Sequence, residues 1–206
     1  MTTSAQILSG REPYVAPSLR ALTWIKTIHE DKATGDLKRA YEQVLRTRGK
    51  ISNIMRAQSL NPNALRSFLE LYVGLLFGKS GLSRAEREIV ATVISARNGC
   101  EYCVSHHGEA LGFYLKNEAQ LDAFKRGSPP ENLEPRVKAL IEYAMKLNSG
   151  STEMSEADAE ALRKLGISDS EILDLVLITA YMNLVNRIAK GLGVEHDQQE
   201  TQGYKY

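Results

Sequence analysis

Apolar residues recur at three- and four-residue intervals through most of the chain, the spacing of one helical face. Leu37, Ala40, Tyr41, Val44 and Leu45 form one such set, and Gly49 follows at the C-cap position. Asn61-Pro62 joins a capping side chain to a residue with no N–H to lose, so a helix is predicted to start there. Its apolar stripe is Leu65, Phe68, Leu69, Tyr72, Leu75 and Leu76. Ser83 stands three residues before Glu86, the spacing of a capping box. In the helix that follows, Ile89, Val90, Val93 and Ile94 share one face. Glu88, Ala91, Thr92 and Ser95 occupy the other, small apart from the carboxylate. Such a helix is expected to be enclosed on both sides. Asn98-Gly99 ends it, and a new helix begins around Cys100. After the Ser128-Pro129-Pro130 linker, helices are predicted over about 135–148, 155–165 and 169–190. No segment alternates as a strand would. The expected fold class is all-α, a helical bundle.

The organisation expected is an N-terminal arm over 1–35, a helical body over 36–194 and a polar, loose tail over 195–206. Trp24, Ile25 and Ile28 are the expected anchors of the arm. Gly81-Leu82-Ser83 with Glu86 is echoed by Gly166-Ile167-Ser168 with Glu171, and Asn98 then falls at the place of Asn183. Two related helical halves would give this echo, and so would two helices that merely share a start signal.

Composition narrows the function classes. The chain has 206 residues, a formal net charge of +1 and 25% charged residues, which argues against nucleic-acid binding by bulk charge. Two cysteines cannot build a disulfide framework, and at three residues apart they staple almost nothing. The first twenty residues lack the apolar stretch of a signal peptide, and no run is read as a membrane span. The expected setting is the cytoplasm, where ordinary thiols stay reduced. Neither membrane nor nucleic acid is expected as a partner.

The dense chemistry lies in Asn98-Gly-Cys-Glu-Tyr-Cys-Val-Ser-His-His107, with Glu88 twelve residues before Cys100. Cys100, Cys103 and His107 share one helical face. The first turn of a helix favours a thiolate. His107, one turn after Cys103, is within reach of its sulfur, and Glu88 from the neighbouring helix is placed to orient that imidazole. A thiolate that attacks a hydroperoxide becomes a sulfenic acid, a second thiol condenses with it to a disulfide, and an imidazolium protonates the leaving alkoxide. An external dithiol then restores the pair.

A glutamate, eleven residues, then C-x-x-C-x-x-x-H resembles the core motif of alkyl hydroperoxidase D-like proteins of the carboxymuconolactone decarboxylase superfamily. The stretch LSRAEREIVATVISARNGCEYCVSHHGEALG carries the resemblance, and WIKTIHEDKATGDLKRAYEQV resembles the peroxidase-related subgroup. The resemblance implies an all-helical fold, homo-oligomers (commonly trimers or hexamers) and peroxide reduction by the cysteine pair, and that mechanism requires no metal or other cofactor. It implies that Cys103 attacks the peroxide, that Cys100 resolves, and that His107 and Glu88 relay the proton. The reductant it implies is a lipoyl group or a thioredoxin-like dithiol. Tyr102 departs from the pattern, standing where alkyl hydroperoxidase D has a histidine. A phenol cannot replace an imidazole as a base near neutrality. His106 and Tyr102 are therefore secondary site candidates.

Three other readings compete. The decarboxylase branch would use Glu88 and His107 as a lyase or hydrolase on a lactone, although it generally lacks the cysteine pair. A non-catalytic redox sensor or binding module would use the same CxxC without turnover. A zinc site with two cysteines and one histidine falls short of four ligands. His29 and His196 have no evident partners in the sequence, and the charges at Lys38-Arg39 and Arg46-Thr47-Arg48 are read as a solvated helix face.

Overall fold

The structure is a computed structural model and describes residues 22–205. Among these residues it is all-α: α1 (Gly35–Arg48), α2 (Asn53–Arg56), α3 (Pro62–Phe77), α4 (Arg84–Arg97), α5 (Glu101–Tyr114), α6 (Glu118–Lys125), α7 (Pro135–Ser149), α8 (Glu156–Arg163), α9 (Asp169–Gly191) and α10 (Gln198–Thr201). The start signals act as their chemistry dictates. Asn61 accepts from the Ala64 N–H with Pro62 inside the first turn of α3, and Gly49 closes α1 at φ 79°. Ser83 and Ser168 each form a full capping box, with Glu86 and Glu171.

The centre of the molecule is α4. It packs against α5, α7 and α9, and every residue from Arg87 to Ser95 is buried. This is the doubly enclosed helix expected from its two unlike faces. Its Ile94 sits with Leu65 and Leu69 of α3 and Leu175, Ile178 and Met182 of α9 in the main core. Truncating one such fully buried leucine to alanine costs about 2–5 kcal/mol.

The sequence echo has a spatial counterpart. Arg136 of α7 donates from Nε to Glu86 at 2.7 Å and from Nη2 to Glu171 at 2.6 Å, so one guanidinium ties both capping boxes together. Asn98 and Asn183, at equal distances along the two copies, also approach each other at 3.5 Å. With both their starts and these later positions adjacent, α4 and α9 run side by side and parallel.

Three expectations need correction. Trp24 and Ile25 are exposed, so of the proposed anchors only Ile28 packs against the core; residues 1–21 of the arm lie outside the described residues. Ile28 is fixed by polar bonds as well, since its N–H donates to Ser59 Oγ and its carbonyl accepts from Tyr41 OH. The helix α9 is long and apolar enough to cross a membrane by length and composition, and half of its apolar window is buried inside the protein. The tail is not loose. Glu195 N–H donates to the Leu22 carbonyl, α10 follows, and Glu200 and Thr201 are buried.

Candidate active site

Cys100 is the N-cap of α5, directly after the Asn98-Gly99 break, and Gly99 takes a left-handed φ of 62° that lets the chain reverse there. Cys103 sits one turn into the helix. Both cysteines are free and buried, with their sulfurs 2.8 Å apart. The Cys100 thiol is held below the usual thiol value, chiefly because Cys103 hydrogen-bonds to it; burial opposes this, while the Cys103 N–H, Lys190 and Asn186 support it. The same contact with Cys100, together with burial, pushes Cys103 strongly upward. The two opposite shifts make Cys100 the more acidic of the two thiols.

Glu88 and His107 meet as the sequence predicts. Glu88 is 1% exposed, and its Oε2 lies 2.7 Å from His107 Nδ1. Its Oε1 accepts from Arg84 Nη2 at 2.8 Å, so both oxygens are occupied. A charge so deeply buried persists only when paired in this way. With Nδ1 committed to the carboxylate, His107 has Nε2 left for chemistry.

Cys103, His106 and His107 line one cavity. Its other walls include Val44, Arg48, Ile54, Met55, Phe68, Tyr72, Ala110, Tyr181, Val185 and Tyr204, so it is mostly apolar and aromatic. About 70 Å³ of it is open to the centre of a water molecule, which is room for a few waters or one small organic molecule. Cys100 does not face this space. It borders a separate surface groove with Lys125, Arg126 and His196.

The segment of the chain over 62–118 matches the carboxymuconolactone decarboxylase family. The match is confined to that segment, and over it the chain is similar to the family. The matched segment carries Glu88, both cysteines and both adjacent histidines. The fold is similar to that of a peroxidase-related protein with an alkylhydroperoxidase AhpD core from Ralstonia eutropha JMP134, at TM-score 0.78 and 28% identity, covering 88% of this chain and 96% of that one. A peroxidase-related protein from Silicibacter sp. TM1040 is similar at TM-score 0.79 and 27% identity, over 88% and 95% of the two chains. The debrominase Bmp8 shares the fold at TM-score 0.69 and 16% identity, over 88% of this chain and 97% of its own. No curated protein matches the chain.

Two residues of the candidate site escaped the sequence reading, and both lie outside the matched segment. Glu200, from the tail, is buried against His106, its Oε2 2.6 Å from Nε2. Its Oε1 accepts from the Asn53 N–H at 2.9 Å and from Tyr102 OH at 3.1 Å. Burial raises the Glu200 carboxyl, but His106 and these donors outweigh it and leave it below the usual carboxylate value. Burial lowers His106 against the pull of Glu200, and burial beside Glu200 pushes Tyr102 well above the ordinary phenol value. Tyr102 is therefore a neutral hydrogen-bonding strut, receiving the Ile54 N–H at 3.1 Å and donating to Glu200. His196 is not partnerless either, with Nε2 2.9 Å from Ser105 Oγ, and His29 Nδ1 lies 2.8 Å from Asp31.

The second missed residue is Arg48, read from the sequence as part of a solvated face. It is buried on the cavity wall. The signal was available: Leu37, Tyr41, Val44 and Arg48 are spaced four, three and four apart, which puts Arg48 on the apolar stripe of α1.

Proposed function

We propose that the protein is a cysteine-based hydroperoxide reductase. The observation that supports this most is the sulfur pair 2.8 Å apart, with Cys103 opening on the same cavity as the Glu88-backed His107. In this reading Cys103 is the attacking sulfur, because it faces the cavity. Cys100, the more acidic thiol, takes the Cys103 proton in its ionised form as the attack proceeds. The Cys103 sulfur bonds to the distal peroxide oxygen, the O–O bond breaks, and protonated His107 gives its proton to the departing alkoxide. The Cys100 sulfur then displaces hydroxide from the Cys103 sulfenic acid, and water leaves as the disulfide forms. The balance is dithiol plus hydroperoxide to disulfide, alcohol and water.

An external dithiol, lipoyl or thioredoxin-like, closes the cycle by exchange at the disulfide, in a reducing cytoplasm. No metal or other cofactor enters these steps. The working unit of this proposal is a homo-oligomer, a trimer or hexamer. Leu173, Leu177, Ala180 and Leu184 support it, as they form one exposed face along α9.

Steady-state consumption of an alkyl hydroperoxide with dithiothreitol as reductant tests the function. Continuous turnover that disappears in Cys103→Ser is expected. A protein that oxidises once and stops is a sensor, and this reading then fails.

A further inference from the structure

We propose that Arg48 is an anion-recognition residue of the cavity and that the preferred substrate carries a carboxylate at the end remote from its reacting group. The identity of that group as a hydroperoxide rests on the function proposed above; the anion site itself does not.

Arg48 is 6% exposed. Its guanidinium lies 4.3 Å from the ring centre of Phe77 and 5.4 Å from that of Tyr72. Such stacking keeps a planar cation in place without neutralising it. Among the described residues no carboxylate lies within ion-pair distance of Arg48, and its one side-chain hydrogen bond runs from Nη1 to the Lys205 carbonyl. A guanidinium has five N–H donors, and taking its charge out of water is costly unless an anion or several acceptors compensate. The unused donors are not sealed in protein, because among described residues Thr92 Oγ1 is the one fully enclosed side-chain polar atom without a partner. Arg48 lines the cavity, the space in which those donors can meet a ligand.

The other charged groups around this space are already occupied. Lys50 Nζ donates to the tail carbonyls of Glu200 and Gln202 at 3.1 and 3.2 Å. Glu200 is spent on His106, and Glu88 on His107 and Arg84. Arg48 is thus the cation left to meet a ligand. The rest of the wall, from Val44 through Phe68 to Tyr181 and Val185, suits a short hydrocarbon. The chemistry that fits is a carboxylate on Arg48, an aliphatic or aromatic body across the apolar wall, and the reacting end toward Cys103 and His107. Fixing the tail alone would use a single donor and would not call for a cation.

The test needs no peroxide and uses the whole reduced chain with hexanoate and its neutral isostere hexanamide. Calorimetric titration is expected to show hexanoate binding at least about tenfold tighter than hexanamide, with that preference lost in Arg48→Met. In the wild type, raising salt from about 0.05 to 0.5 M should weaken hexanoate and leave hexanamide unchanged, which decides the matter even if Arg48→Met does not fold. Hexanoate should also slow alkylation of Cys103 by iodoacetamide. Equal affinity for acid and amide, an unchanged preference in folded Arg48→Met, or binding without protection of Cys103 overturns the proposal. If hexanoate binds as expected while no hydroperoxide is turned over, the anion site stands and the peroxidase reading fails.

Discussion

Glu88 Oε2 and His107 Nδ1 lie 2.7 Å apart across the α4–α5 contact, and Arg84 holds the second carboxylate oxygen at 2.8 Å. The carboxylate therefore sets which ring nitrogen of His107 is free. Glu88→Gln keeps the shape and removes the charge. Its turnover of hydroperoxide should fall by about 10²-fold or more, the scale of a lost general acid, while thiol content and fold are retained. A steady-state assay with a circular dichroism control checks this, and near-wild-type turnover would remove Glu88 from the relay.

Acid should loosen the tail. Burial lowers His106, and the Glu200 carboxyl is also below its usual value, so the unfolded chain binds protons at a higher pH than the folded one at both groups. Stability from this pair is complete above the unfolded histidine value of about 6.5 and is lost as pH falls through that value and then through the carboxylate range. Thermal melting followed from pH 7.5 to 4 should show this decline, with a shallower slope in a folded His106→Gln variant. An equal slope in that variant would contradict the role given to His106.

Arg136 binds both capping boxes, and Glu171 is held at about 2 by Ser168 first and Arg136 further down. Arg136→Met should lower unfolding stability by about 1–2 kcal/mol, since the pairs are partly solvated and each contributes modestly. Urea denaturation measures it. No loss would mean that the two helix starts are fixed by their serines alone.

Thr92 is fully buried on α4, and among the described residues its hydroxyl has no partner. Thr92→Val replaces it by an isostere without the unsatisfied group. The variant should be more stable by about 1 kcal/mol in the same urea experiment. A destabilised variant would show that the hydroxyl is bonded in the native protein.

The sequence made the helices legible wherever a local device decides the matter. Ser83 with Glu86, Ser168 with Glu171, and Asn61 with Pro62 act within one turn, and each start is found where its residues stand. The candidate constellation was legible for the same reason, because Cys100 caps the helix that carries Cys103 and His107, and Glu88 lies on the helix before it. Long-range partners were not. Glu200 reaches His106 across 94 positions, and its mostly polar tail docks through Lys50 and the Asn53 N–H, with Tyr204 on the cavity wall. Arg48 was masked by its neighbours Arg46 and Lys50, although its place on the stripe of α1 separates it from Arg46. Trp24 misled in the opposite direction, being the largest apolar side chain of its segment yet lying exposed over Gly193.

The chemistry proposed rests on one helical turn that presents two sulfurs 2.8 Å apart, one of them facing the cavity of His107. Titrating the reduced protein with an alkyl hydroperoxide, while thiols and released alcohol are counted, addresses it most directly. A single equivalent should convert the dithiol to the Cys100–Cys103 disulfide and release a single equivalent of alcohol. Cys100→Ser should stop at a trappable sulfenic acid on Cys103, and Cys103→Ser should release no alcohol. Alcohol release from Cys103→Ser at the wild-type rate would contradict the account.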